Sequence, residues 1–220
     1  LGVKQFALGR HLGRFSLDGR NFNRAFPQVG DRVVEQLKRL GPDRQTIKEA
    51  LRIGAEILGS LARVGTPTER LQAGLMELAW GSDMIVDVHA DIEALLHLYT
   101  SELSWPVFRP LVQRFGIPVV ILANKSADCP FDEVHGEAWD IINAHLGEGA
   151  SQSGFRTAAC TLELRGLSDV TLEFAAADSR VLCDFLLQSG ASTGAGKAVA
   201  DATSFVTTLD AVEVARSGRS

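Results

Sequence analysis

The sequence predicts an α/β protein, a mixed and largely parallel sheet flanked by helices, with a helical hairpin as an insertion. Three short, largely apolar runs rich in β-branched residues, at 84–89, 117–122 and 156–164, read as strands. Between and around them, apolar residues recur at helical spacing, and Gly and Pro mark the ends. Strands separated by helices pair mostly in parallel, with the helices covering the sheet faces.

In chain order, residues 1–28 are rich in Gly and Arg and keep no sustained period, which suits an active-site loop region. Val33, Val34, Leu37 and Leu40 then form a helical stripe that stops at Gly41-Pro42. Ile47, Ala50, Leu51, Ala55, Leu58 and Leu61 continue the pattern over 43–63. Thr66-Pro67 opens another helix through Leu71, Leu75 and Leu78, which completes the hairpin. Met84-Ile85-Val86-Asp87-Val88-His89 is expected as a buried strand ending at His89. Residues 106–115, 131–146 and 175–188 read as helices. The Gly, Ala and Ser of 189–200 read as a loop leading to 202–214, with a strand at 211–214. The expected division is a domain over 1–205 and the beginning of a C-terminal β domain over 206–220.

The composition, 45% hydrophobic and 22% charged over 220 residues, allows one sizeable core. A net charge of −5 offers no basic excess for a phosphate backbone, so nucleic acid is not an expected partner and a small-molecule substrate is. The three cysteines show no Cys-x-x-Cys spacing, which fits a reduced cytoplasm. No apolar run reaches the roughly 18–20 residues of a membrane span, so no membrane partner is expected. A homo-oligomer is compatible with the sequence, which does not decide the matter. The chain opens on Leu1 without a start signal and closes on polar residues just after a strand, so a fragment of a longer protein is expected.

Three short segments carry chemistry: Asn21-Phe22-Asn23-Arg24, Asp87-Val88-His89 and Thr161-Leu162-Glu163. An Arg fork with a neighbouring Asn suits a carboxylate, although a solvated loop arginine is the commoner case. His89 at a strand end is either a metal-binding imidazole or a structural residue. Glu163 is either a functional acid or a solvent-facing residue paired with Arg165, two positions on and on the same face.

Taken together and in this order, the segments resemble three of the four active-site segments of the succinylglutamate desuccinylase/aspartoacylase family of zinc-dependent amide hydrolases. The stretch from His89 to Thr100, with Glu93 and His97-Leu98-Tyr99, is most similar to the bacterial predicted-deacylase branch, which includes enzymes deacetylating diamino acids in ectoine breakdown. The resemblance implies a zinc carboxypeptidase-like fold and one zinc ion, with His89 as its third protein ligand. It implies Glu163 as the base that activates water, and Asn23 with Arg24 as the grip on a substrate carboxylate. It places Arg14 where an arginine polarises the scissile carbonyl, with Arg10 and Arg20 as rivals. The family's first two zinc ligands lie in an His-x-x-Glu element upstream of the Asn-Arg pair, and no such element precedes Asn23 here. Asn21 stands where the family has an Asp that orients a zinc-bound His, and Asp87 is a candidate for that negative charge. His97 and Tyr99 are expected on a loop or short helix, with substrate contact and ordinary packing equally open.

Two other motifs are set aside. Gly190 to Ala198 resembles a phosphate-binding loop but has five residues between Gly190 and Gly196, and Ala198 where Ser or Thr is required. His135-Gly136-Glu137 is one residue short of the family's zinc element and belongs to the helix over 131–146.

The expected function is zinc-dependent hydrolysis of the amide of an N-acylated amino acid or similar small amide. A zinc carboxypeptidase acting on peptides and a non-catalytic binding protein of the same fold are the alternatives.

Overall fold

The computed structural model describes residues 15–16, 19–123, 128–147, 157–190 and 213–216. They carry α1 (Gly30–Leu37), α2 (Ile47–Leu61), α3 (Pro67–Ala79), β1 (Met84–Asp91), β2 (His97–Thr100), α4 (Trp105–Phe115), β3 (Val119–Leu122), α5 (Phe131–Leu146), β4 (Ala158–Gly166), α6 (Leu172–Gln188) and β5 (Glu213–Arg216). Residues 1–85 with 125–159 form one compact unit, and 86–124 with 160–220 form a second.

The first unit is helical, with the expected hairpin made by α2 and α3. Thr66 starts α3 through a reciprocal cap: its hydroxyl accepts from the Glu69 N–H, and the Glu69 carboxylate accepts from the Thr66 N–H. Val33, Val34 and Leu37 of α1, Ile53 and Ile57 of α2, Met76 of α3, and Trp139 and Ile142 of α5 share one apolar core. Each such side chain gains roughly 1.5–3 kcal/mol on leaving water. Two glycines permit close packing here: a Cβ on Gly30 would stand 3.0 Å from the Ala138 Cα, and one on Gly54 would strike the Trp80 ring. That ring stacks on Trp139 with centroids 4.9 Å apart.

The five strands stand in the order β1-β4-β2-β3-β5. β2 and β3 are parallel, as are β3 and β5, while β2 and β4 are antiparallel. The Ala158 N–H donates to the Asp83 carbonyl before the strands and the Leu167 N–H to the Ile92 carbonyl after them, so β1 and β4 run in the same direction. A mixed, mostly parallel sheet with flanking helices is the architecture the sequence predicts. In the second unit, Leu98, Val120 and Leu162 are buried with Phe108, Leu111 and Val112 of α4 and Phe185 of α6.

Three local expectations change. His97 and Tyr99 lie on strand β2, because Leu96-His97-Leu98-Tyr99-Thr100 alternates and finds a partner strand on each side. β1 runs two residues past His89, to Asp91. α6 begins at Leu172, earlier than residue 175, because the Thr171 hydroxyl accepts from the Phe174 N–H and caps it there. Among the described residues, no helix is long and apolar enough to cross a membrane.

Candidate active site

Period two puts Asp87, His89 and Asp91 on one face of β1, and the sheet register puts His97 opposite Glu163 and Tyr99 opposite Thr161. Asp87 and His89 meet directly, with Asp87 Oδ2 2.8 Å from His89 Nε2. A carboxylate only accepts, so His89 donates from Nε2, and in the neutral form of the ring the lone pair lies on Nδ1. Nδ1 faces Glu163 Oε1 at 3.7 Å, beyond hydrogen-bond length. His97 is held separately, its Nδ1 2.8 Å from the Leu95 carbonyl.

Glu163 is not the solvated acid of the blander reading. Its side chain is 13% exposed, and its Oε2 is buried with no hydrogen-bond partner. Burial pushes its pKa up, the positive charge of His89 and His97 opposes that shift, and the negative charge of Asp91 and Asp87 adds to it. Arg165 does not pair with it either. Arg165 adopts a left-handed backbone (φ 71°) and gives a bidentate ion pair to Asp178 of α6 at 2.8 and 3.0 Å. The following residue must be small: a Cβ on Gly166 would lie 3.1 Å from the Ile92 carbonyl oxygen. The end of β4 is thus fixed to α6 and to the loop after β1, and Glu163 sits just before those two attachments.

The zinc site implied by the resemblance can be compared with these residues. Among the described residues, no group of three or more His, Cys, Asp or Glu side chains is arranged to hold a metal ion. They do not make a ligand set by themselves. What they offer is one carboxylate-oriented imidazole and an adjacent buried carboxylate oxygen without a partner. The motif set aside around His135 is placed as expected. His135 lies on α5 as predicted and is fully buried, its Nδ1 3.0 Å from the Phe131 carbonyl.

Asn23 and Arg24 belong to the first unit. Their loop is tied down on several sides. Asn21 Oδ1 accepts from the Asn23 N–H at 3.0 Å. Ala25, with φ 59°, donates its N–H to the Asp128 carbonyl, and the Phe26 N–H donates to the Cys129 carbonyl. The Arg24 guanidinium donates to the Asn23 carbonyl at 2.6 Å and to the Asp128 carboxylate at 3.2 Å. Gln72 of α3, 2% exposed, donates to the Phe22 and Arg24 carbonyls at 3.1 and 2.7 Å. Sequence reading missed Gln72 and Asp128. Gln72 left a trace: it falls on the buried stripe Thr68, Gln72, Met76 of an amphipathic helix, where an amide demands partners.

The proposed carbonyl-polarising arginine, Arg14, and its rival Arg10 lie outside the described residues, as does most of the rejected phosphate-loop motif. Arg20, the other rival, is engaged by Glu69 at 2.7 Å.

No family model matches the sequence. No curated protein matches it either. Solved structures do. A provisionally assigned succinylglutamate desuccinylase/aspartoacylase family protein from Shewanella amazonensis is 27% identical with a TM-score of 0.59, the match covering 86% of this chain and 53% of that one. A provisionally assigned succinylglutamate desuccinylase/aspartoacylase from Shewanella frigidimarina is 23% identical with a TM-score of 0.60, covering 81% and 49%. The chain spans about half the length of both, and its fold is the one these proteins share.

Proposed function

We propose that this chain, which has the fold of succinylglutamate desuccinylase/aspartoacylase family proteins, carries part of the active site of a zinc-dependent hydrolase. The bond cleaved is the amide of an N-acylated amino acid or a similar small amide. The observation that carries this reading is the arrangement around His89: Asp87 at 2.8 Å behind its Nε2 and Glu163 at 3.7 Å before its Nδ1.

Asp87 holds the imidazole in the tautomer whose Nδ1 can bind a cation. His89 would then supply one of the zinc ligands, the others coming from outside the described residues. Bound zinc would polarise the amide carbonyl and acidify a water. Glu163 acts beside it as proton carrier: a carboxylate raised by burial takes a proton from water and returns it to the leaving amine better than a solvated one. Its partnerless Oε2 is the atom for that work. Asn23 and Arg24 would hold the substrate carboxylate through directed donors, and Arg14 would steady the oxyanion.

The reading is tested by assaying the protein on N-acetyl and N-succinyl amino acids before and after chelation, then with zinc restored. Amine release that disappears with chelation and returns with zinc supports it. Zinc-independent turnover, or zinc-dependent release from peptide C-termini alone, overturns it.

A further inference from the structure

The loop bearing Asn23 and Arg24 is held in a shape its own sequence does not favour. Ala25 sits in the left-handed region at φ 59°, a conformation that costs a residue with a Cβ of order 1–2 kcal/mol. Cys129, across from it, is left-handed too, at φ 48°. Such backbone persists where surrounding contacts over-determine it, and those contacts cluster at ligand sites.

Among those contacts, one side chain stands apart. Gln72 is buried on α3, and its amide nitrogen reaches both the Phe22 and the Arg24 carbonyls, the two that flank Asn23. A primary amide carries two N–H donors in a fixed plane, so one Gln can bridge two carbonyls that no hydroxyl or indole could hold together. The other ties on the loop include backbone bonds to 128 and 129, the Arg24 pair with the Asp128 carboxylate, the Asn23 Oδ1 bond from the Phe131 N–H, and bonds within the loop itself. Asn23 thereby also reaches a helix, at the start of α5, whereas Gln72 reaches from α3 to the backbone on both sides of Asn23.

We propose that Gln72 is the positioning residue of the carboxylate anchor, fixing the backbone on both sides of Asn23 so that Asn23 and Arg24 meet a substrate carboxylate in one geometry. This rests on the reading of Asn23 and Arg24 as that anchor. Gln72 touches no substrate. Its effect falls on recognition of the carboxylate and leaves the bond-breaking groups alone.

The test uses paired probes: the N-acetyl amino acid the protein hydrolyses best and its α-carboxamide, which lacks the anionic group. Gln72→Met keeps the length and removes both donors, while Gln72→Asn keeps the amide but falls one methylene short. Loss of positioning bonds of ordinary strength raises KM for the acid about tenfold, with kcat within about twofold and KM for the carboxamide unmoved. Gln72→Asn lies between wild type and Gln72→Met, and serves alone if the Met protein does not fold. Arg24→Ala sets the scale by removing the preference for acid over carboxamide. If Arg24→Ala abolishes that preference while the Gln72 variants keep it, or if they weaken both probes equally, the positioning role is wrong. If Arg24→Ala leaves the preference intact, the anchor reading fails and takes this inference with it.

Discussion

Asp87 and His89 stand two residues apart on one face of β1, and their side chains meet at 2.8 Å between Oδ2 and Nε2. Strand alternation alone brings them to the same side; the carboxylate then settles which imidazole nitrogen carries the proton. Here a negative charge comes from the same strand as the imidazole, while position 21, which could have supplied an acid, is an Asn that bonds its own loop.

Asp87→Asn keeps the shape and removes the charge. Loss of such a supporting carboxylate weakens zinc binding by about 10- to 100-fold. Competition titration with a chromophoric chelator measures it, and unchanged affinity would show that Asp87 does not orient a ligand.

Glu163→Gln should cost activity and gain stability. Removing a general base lowers kcat by about 10²- to 10⁴-fold. The folded-state pKa of Glu163 is raised by burial, so the native state binds its proton more readily than the unfolded chain. Stability from this group is therefore fullest below the ordinary carboxylate pKa and falls as pH rises through the raised value. Melting of the chelated protein at neutral pH should place Glu163→Gln at or above wild type, with the gap closing in acid. A variant that melts lower at every pH contradicts the buried, partnerless carboxylate.

His135 gives the opposite pH dependence. Burial lowers its pKa, so the unfolded chain takes up the proton first as pH falls. Stability is full above the ordinary His value and declines as pH drops toward the depressed one. Urea midpoints between about pH 7 and pH 5 should fall less steeply in His135→Leu than in wild type. Parallel profiles would mean that His135 is not the group responsible.

Gly54→Ala tests the helical unit. The added Cβ meets the Trp80 ring well inside contact distance, and Trp80 is pinned by its stack on Trp139 and its Nε1 bond to the Leu51 carbonyl. Overpacking of this kind costs about 1–3 kcal/mol in a urea titration. No loss would mean that Trp80 moves freely.

The long elements were legible because their signals are local. α5 begins at Phe131 and ends at Leu146 as the apolar spacing predicts, and Thr66-Pro67 marks the start of α3. β2 was not legible as a strand: four residues that alternate look like a loop until β3 and β4, distant in sequence, pair with them. The site divided the same way. His89 and Glu163 could be named from short motifs, and the sheet places them side by side. The Arg165 to Asp178 pair and the Gln72 bridge depend on helices docking against loops, and residue spacing carries no trace of which carbonyl or carboxylate will be near.

The central claim is that His89 binds the metal while Glu163 moves the proton. Zinc content and turnover measured together on His89→Ala and Glu163→Gln separate the two roles most directly. The account predicts that His89→Ala loses both zinc and turnover, whereas Glu163→Gln keeps its zinc and loses turnover. Retention of zinc at wild-type affinity by His89→Ala, or of turnover by Glu163→Gln, would contradict it.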